Sequence, residues 1–190
     1  MRRSNKRILI LCEGVTEQLY ATSLRAELGR NQQRSIAVEI SVGYKWDPLN
    51  LVKEAITKSK KARKEKNPYH TIWLFFDHDN WPQLRDAYRL IEMEGFQFAF
   101  TSLCIEHWFI LHFEDNGRAF QEGDHAVRHL QGLWPEYHKT KINHFLKLKP
   151  KLESAIERAD RINKRQEDLP VFERNPYCSI PDMIAYFRSL

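Results

Sequence analysis

Two runs of unbroken apolar residues constrain this chain more than any other feature. Arg7-Ile-Leu-Ile-Leu-Cys12 and Thr71-Ile-Trp-Leu-Phe-Phe76 do not alternate polar with apolar residues, so each reads as a strand buried on both faces. Both runs end in acids. Glu13-Gly14-Val15-Thr16-Glu17 follows the first, and Asp77-His78-Asp79-Asn80 follows the second. Doubly buried strands belong to parallel sheets covered by helices, and such sheets bind ligands in the crevice outside the strand carboxyl ends. Carboxylates gathered there repel one another unless a hard cation such as Mg²⁺ or Mn²⁺ joins them. The pattern therefore predicts metal-assisted chemistry on phosphate esters.

The rest of residues 1–115 fits alternating strands and helices. Leu19, Tyr20, Leu24 and Leu28 form one helical stripe, which closes at Gly29. A second strand is expected over 35–42. Asp47-Pro48 supplies an N-cap and an N1 proline for a helix packing through Leu49, Val52 and Ile56. Asn80, Pro82 and Gly95 bracket a third helix starting at Trp81, with Leu84, Tyr88 and Ile91 inward. A fourth strand over 96–102 leads into an aromatic-rich helix over 104–113. Beyond Asp115 the periodicities are helical, broken by Gly123, Gly132, Pro135, Pro150 and Pro170. Ser179-Ile-Pro-Asp182 reads as a capping box opening a last helix through Met183, Ile184 and Phe187. The expected fold is α/β: a parallel four-stranded sheet flanked by helices over 1–115, with a helical C-terminal region over 116–190 packed on it.

Composition narrows the function classes. With 190 residues and 42% hydrophobic content, the chain can build a full core. Its net charge of +5 permits a polyanionic partner such as nucleic acid. Cys12, Cys104 and Cys178 are far apart and lack CxxC spacing, which argues for a reducing compartment and against a structural zinc site. No leader pattern or membrane-length apolar stretch is present, so a cytoplasmic location is expected. No GxxxxGK[ST], GxGxxG or GxSxG occurs.

Among the acids, Glu13 and Asp77 directly follow buried strands, and their charges need partners. With strand one beside strand three, the strand ends lie about 5 Å apart. Glu13 and Asp77 then face each other, and Asp79 returns to the same side in a tight loop. Glu17 and Asn80 read as helix-capping residues. Glu106 interrupts an apolar helix; it reads equally as a fourth site acid or as a first-turn complement to the helix dipole. His78 reads as a solvated loop residue, and His107 and His112 as packing and capping residues. Lys58, Lys60, Lys61, Arg63, Lys64 and Lys66 end a helix and read as a solvated face. Lys139, Lys141, Lys147, Lys149 and Lys151, interleaved with Tyr137, His138, His144 and Phe145, are the nucleic-acid candidate, because exposed rings stack on unpaired bases. An amphipathic helix with one wet side accounts for that segment equally well.

At these residues the chain resembles a known family. Glu13-Gly14 with Thr16-Glu17, then Asp77-x-Asp79 after a later strand, resemble the two signatures of the Toprim fold of topoisomerases, primases and OLD-family nucleases. More narrowly, the chain is similar to RloB-like proteins, which are encoded near restriction-modification and other phage-defence loci. That likeness rests on Cys-Glu-Gly-x-Thr-Glu, on Ile105-Glu106-His107-Trp108-Phe109-Ile110-Leu111-His112-Phe113, and on Asn175-Pro176-Tyr177-Cys178-Ser179. The family pattern has Asn-Pro before its Glu-x-Trp segment, where this chain has Ser102-Leu103. The resemblance implies a Mg²⁺-dependent nuclease in anti-phage defence, controlled by a partner ATPase. Glu13 would be the general acid/base, and Asp77 and Asp79 the metal-binding acids.

Two other readings compete. A strand ending in Asp-x-Asp-Asn is also the nucleophile motif of HAD-type phosphatases, with Asp77 attacking phosphorus and Asp79 moving the proton. That reading needs a later paired acid, and Glu114-Asp115 is the nearest pair. The third reading is a non-catalytic module that binds nucleic acid or a partner protein.

Overall fold

The computed structural model describes residues 6–44, 47–78 and 81–190. Four strands, β1 (Lys6–Cys12), β2 (Ile36–Val42), β3 (Thr71–Asp77) and β4 (Gln97–Thr101), form one sheet in the order β2-β1-β3-β4. All pairs are parallel, with Leu9 opposite Glu39 and Ile72, and Phe75 opposite Ala99. The helices α1 (Val15–Ala26), α2 (Arg30–Ser35), α3 (Pro48–Lys64), α4 (Leu84–Glu94) and α5 (Ile105–Leu111) lie between or after the strands. They are followed by α6 (Gly123–Leu133), α7 (His144–Leu148), α8 (Leu152–Lys164) and α9 (Ile180–Arg188). The fold is α/β and Rossmann-like, as the strand pattern predicted. Among the described residues no helix is long and apolar enough to cross a membrane.

Strand periodicity divides the core in two. Ile8, Ile10, Cys12, Trp73 and Phe75 face a cluster that includes Tyr20 and Leu24 of α1, Trp108 and Phe109 of α5, Ala155 of α8 and Met183 of α9. Leu9, Leu11, Ile72, Leu74 and Phe76 face Val52 and Ala55 of α3 and Tyr88 of α4. Successive residues point to opposite faces. Asp77, two beyond Phe75, therefore ends its strand on the α1/α5 side. β1 and β2 are joined over one face, and β2 and β3 over the other. The chain thus reverses direction between β1 and β3, the switch point where such sheets open a crevice.

Several local expectations need correction. Gly29 does not close the first helix in a left-handed turn; it is the N-cap of α2 with φ −60°, and its N–H donates to Gln32 Oε1 at 2.7 Å. The helix after β3 starts at Leu84 with Gln83 as N-cap, not at Trp81; Asp79 and Asn80 lie outside the described residues. Gly123 and Gly132 do not break helices, since both lie within α6. Ser179 makes no capping bond; its Oγ instead accepts the N–H of Phe100 at 3.0 Å on the edge of β4. With Ser102 N–H donating to Tyr177 O and Ser179 N–H to Phe100 O, residues 177–179 cover that edge. Asp47 does cap α3, accepting from the Asn50 N–H at 2.9 Å, and Gly95 ends α4 at φ 66°.

Candidate functional site

The site begins where β1 ends. The N–H of Glu13 donates to Phe75 O at 2.8 Å, so the backbone stays bonded to β3 for one residue beyond the strand. The Glu13 side chain then crosses to the end of β3, where its Oε2 accepts the Asp77 N–H at 2.8 Å. The two acids that the strand pattern singled out are thus brought together at the switch point. The third, Asp79, lies outside the described residues.

Glu17 adds a second tier. It is the third residue of α1, whose N-cap is Gly14, and only 5% of it is exposed. Backbone N–H groups of Gly14 and Glu17 favour its charged form, as an N3 glutamate reaching back to its N-cap does. The close fit explains the glycine: a Cβ at Gly14 would sit 2.7 Å from Glu17 Oε2. Burial, helped by the charge of Glu106, nonetheless pushes the Glu17 carboxyl up to about 7. The expectation that Glu17 is merely a capping residue is therefore incomplete. It caps α1 and also belongs to the acidic cluster.

Glu106 completes the tier from α5. Its residue is 1% exposed; the Tyr137 hydroxyl donates to its Oε1 at 2.6 Å, and Lys139 Nζ stands 3.6 Å away. Thr16 Oγ1 donates to the carbonyl of Lys139 at 3.2 Å, tying that loop to the start of α1. The charge of Glu106 holds the Lys139 ammonium above its ordinary value, with Asp77 adding to the effect. Burial pushes the Cys104 thiol up, and Glu106 and Asp77 reinforce the shift. Burial and then Glu106 raise the Tyr137 phenol in the same way. Glu106 is thus buried and held by Tyr137 and Lys139, so the first-turn position alone does not account for its surroundings.

Glu17, Tyr137 and Cys104 were not singled out as site residues from sequence. The Glu-Gly-x-x-Glu spacing carried a signal for Glu17, because glycine at the N-cap leaves room for an N3 carboxylate. Tyr137 and Cys104 carried none.

The donor set suits a hard cation. Among the described residues no group of three His, Cys, Asp or Glu is assembled to hold a metal ion. Mg²⁺ asks for less, taking one or two protein carboxylates and filling its shell with water and substrate oxygens. Glu13 and Asp77, the pair in contact, offer only oxygen, and Lys139 is a cation set against the neighbouring Glu106. The near-neutral Glu17 carboxyl is what crowded, buried carboxylates produce when positive charge is short.

Elsewhere the structure revises two readings. Tyr137, His144 and Phe145 are buried in the core, so they cannot stack on bases beside the lysines. Nor is the segment one amphipathic helix: a loop leads into the short α7 and a 3-10 turn. Of the five lysines, Lys139 pairs with Glu106, Lys149 with Glu27, and Lys151 lies 4.1 Å over the Phe113 ring; Lys141 and Lys147 are exposed. His78 is not a solvated residue. It is half-buried, with Nε2 2.7 Å from Phe172 O and its ring stacked on Phe100. His107 and His112 are packed in the core as expected.

Comparison with curated proteins gives no match. The family model described as "RloB-like protein" matches residues 8–186, nearly the whole chain. On that match and on the Cys-Glu-Gly-x-Thr-Glu stretch that builds the acidic cluster, the chain belongs to the RloB-like family.

Proposed function

We propose that the chain is a Mg²⁺-dependent nuclease of the Toprim type, hydrolysing phosphodiester bonds of DNA or RNA in anti-phage defence under a partner ATPase. One observation carries the reading: the Glu13 carboxylate bound to the Asp77 N–H, at the switch point of a parallel sheet. Two acids 64 positions apart are fixed where α/β folds bind ligands. A divalent cation at such carboxylates polarises a phosphate ester and lowers the pKa of bound water. In this reading Glu13 and Asp77 face the cation, with Asp79 as the further expected ligand. Glu17, which takes up a proton near neutrality, is suited to move one. Tyr137 and Lys139 keep the Glu106 carboxylate in place.

The phosphatase alternative loses its paired acid. Glu114 is engaged by Asn116 and His129 at 2.7 Å each, and Asp115 by Arg161 at 3.1 Å. Glu13, which has no role in that reading, contacts Asp77 directly.

The test is incubation of tRNA, single-stranded DNA and duplex DNA with Mg²⁺ or Mn²⁺, with and without the partner ATPase. The parent chain cleaves at least one substrate. Glu13→Ala and Asp77→Ala each lose about 10²-fold or more of the rate while keeping the parent's circular dichroism. Equal cleavage by parent and both variants would refute the reading.

A further inference from the structure

A cavity of about 280 Å³ opens at the far end of α1 from Glu17, where α1, α7, α8 and α9 face one space. Its floor is Leu24, Leu28, Phe145, Leu152, Ile184 and Phe187. Its charged lining is Glu27, Lys149 and Arg188. None of the acids discussed at the strand ends lines it.

The floor is apolar and set before any ligand arrives. All six of its side chains are buried, none more than 6% exposed. The Phe145 ring meets that of Tyr20 edge-on at 5.4 Å, and the Phe187 ring lies 6.0 Å from that of Tyr186. A void beside such side chains forfeits dispersion contacts that an apolar guest restores. Apolar cavities of about 150 Å³ already hold benzene, so this one takes one ring or a short hydrocarbon chain.

Charge at the mouth selects an anion. Lys149 and Arg188, each with its side chain about half exposed, set two cations against the one carboxylate of the lining, Glu27. Lys149 is paired with Glu27, and Arg188 with Glu153, which does not line the cavity. Exposed pairs of this kind contribute little, so a ligand carboxylate exchanges for them at small cost. Gln32, the remaining polar residue of the lining, is committed: its Oε1 accepts the Gly29 N–H at 2.7 Å.

We propose that this cavity is a binding site for a small amphiphilic carboxylate, with its apolar body on the six-residue floor and its carboxylate against Lys149 and Arg188. The site is separate from the Glu13–Asp77 pair and does not rest on the nuclease reading. An amine with the same apolar body meets two like charges at the mouth, and a shorter acid leaves the floor uncovered.

Calorimetric titration of sodium octanoate into the full chain, without nucleic acid or divalent cations, tests the site. Octylamine and sodium butyrate are the comparison ligands. The parent binds octanoate saturably and at least about tenfold more tightly than either. Arg188→Ala and Lys149→Ala each weaken octanoate binding about three- to tenfold. Glu27→Gln tightens it, because the one acid of the lining is gone. Leu28→Trp fills the space and abolishes binding while keeping the parent's circular dichroism; the two mouth variants, at half-exposed side chains, decide the matter if that protein does not fold. The proposal is overturned if the parent binds no octanoate, if octylamine binds as tightly, or if Arg188→Ala and Lys149→Ala both bind within about twofold of the parent.

Discussion

At the first turn of α1, the Glu17 carboxylate is pulled in two directions. Backbone N–H groups of Glu17 and Gly14 favour its charge, while burial and Glu106 oppose it more strongly and set the carboxyl at about 7. A carboxyl raised on folding binds its proton more tightly in the native state. Its contribution is therefore neutral below the ordinary value of 4.5, and stability is lost as pH rises from 4.5 to about 7. Glu17→Gln keeps an oxygen for the two N–H groups and removes the ionisation. Urea denaturation should show it more stable than the parent above pH 7, by at most about 3 kcal/mol, with no difference below 4.5. A variant less stable than the parent at every pH contradicts this account of the site. The same residue marks the limit of sequence reading. An acid in a first helical turn is ordinarily a solvated dipole complement, and only packing against α5 and the Lys139 loop makes this one buried. Glu13 and Asp77 were legible because a charge directly after a doubly buried strand must find a partner at the strand end.

Among elements, the strands were the most legible and the caps the least. Unbroken apolar runs specify doubly buried strands whatever surrounds them, so β1 and β3 were placed to within a residue. Serine before a helix is ambiguous, because its hydroxyl serves any nearby N–H. Ser179 gives its Oγ to the buried Phe100 N–H across the open edge of β4. Ser179→Ala therefore leaves a buried donor unpaired and should cost about 1–3 kcal/mol. Hydrogen exchange at the Phe100 amide should accelerate with it; an unchanged Phe100 amide would mean that the hydroxyl is not its partner. Leu103, between β4 and α5, adopts φ 70°, a left-handed conformation that costs a branched residue about 1–2 kcal/mol. That turn swings the chain from the sheet into α5 and sets Glu106 at the site, and no residue preference announced it.

Across the whole molecule, topology converts distant sequence positions into one cluster. Because β1 lies between β2 and β3, the loops after β1 and β3 leave from neighbouring strand ends, and α5 brings Glu106 in from the face that Asp77 shares. The lysine segment was misread for a reason at this scale: its Tyr137, His144 and Phe145 rings are packed in the core, while His138 and the lysines lie at the surface. Four histidines are distributed in the same manner. His78, His107, His112 and His144 each turn a ring nitrogen to a backbone carbonyl, and burial lowers all four, His112 to about 4. A histidine lowered on folding contributes no penalty above 6.5 and destabilises as pH falls below it. Among the described residues burial raises the carboxyls of Glu17 and Asp182, which act in the opposite sense. For His112 the urea midpoint of the parent should fall relative to that of His112→Gln as pH drops from 6.5 towards 4, and an unchanged difference between the two across that range would contradict this.

The central proposal is that Glu13 and Asp77, in contact at neighbouring strand ends, bind a divalent ion, and calorimetric titration of Mn²⁺ into the free chain tests it most directly. The account predicts saturable binding by the parent and at least about tenfold weaker binding by Glu13→Ala and by Asp77→Ala, with circular dichroism unchanged. No Mn²⁺ binding by the parent, or equal binding by both variants, would contradict it.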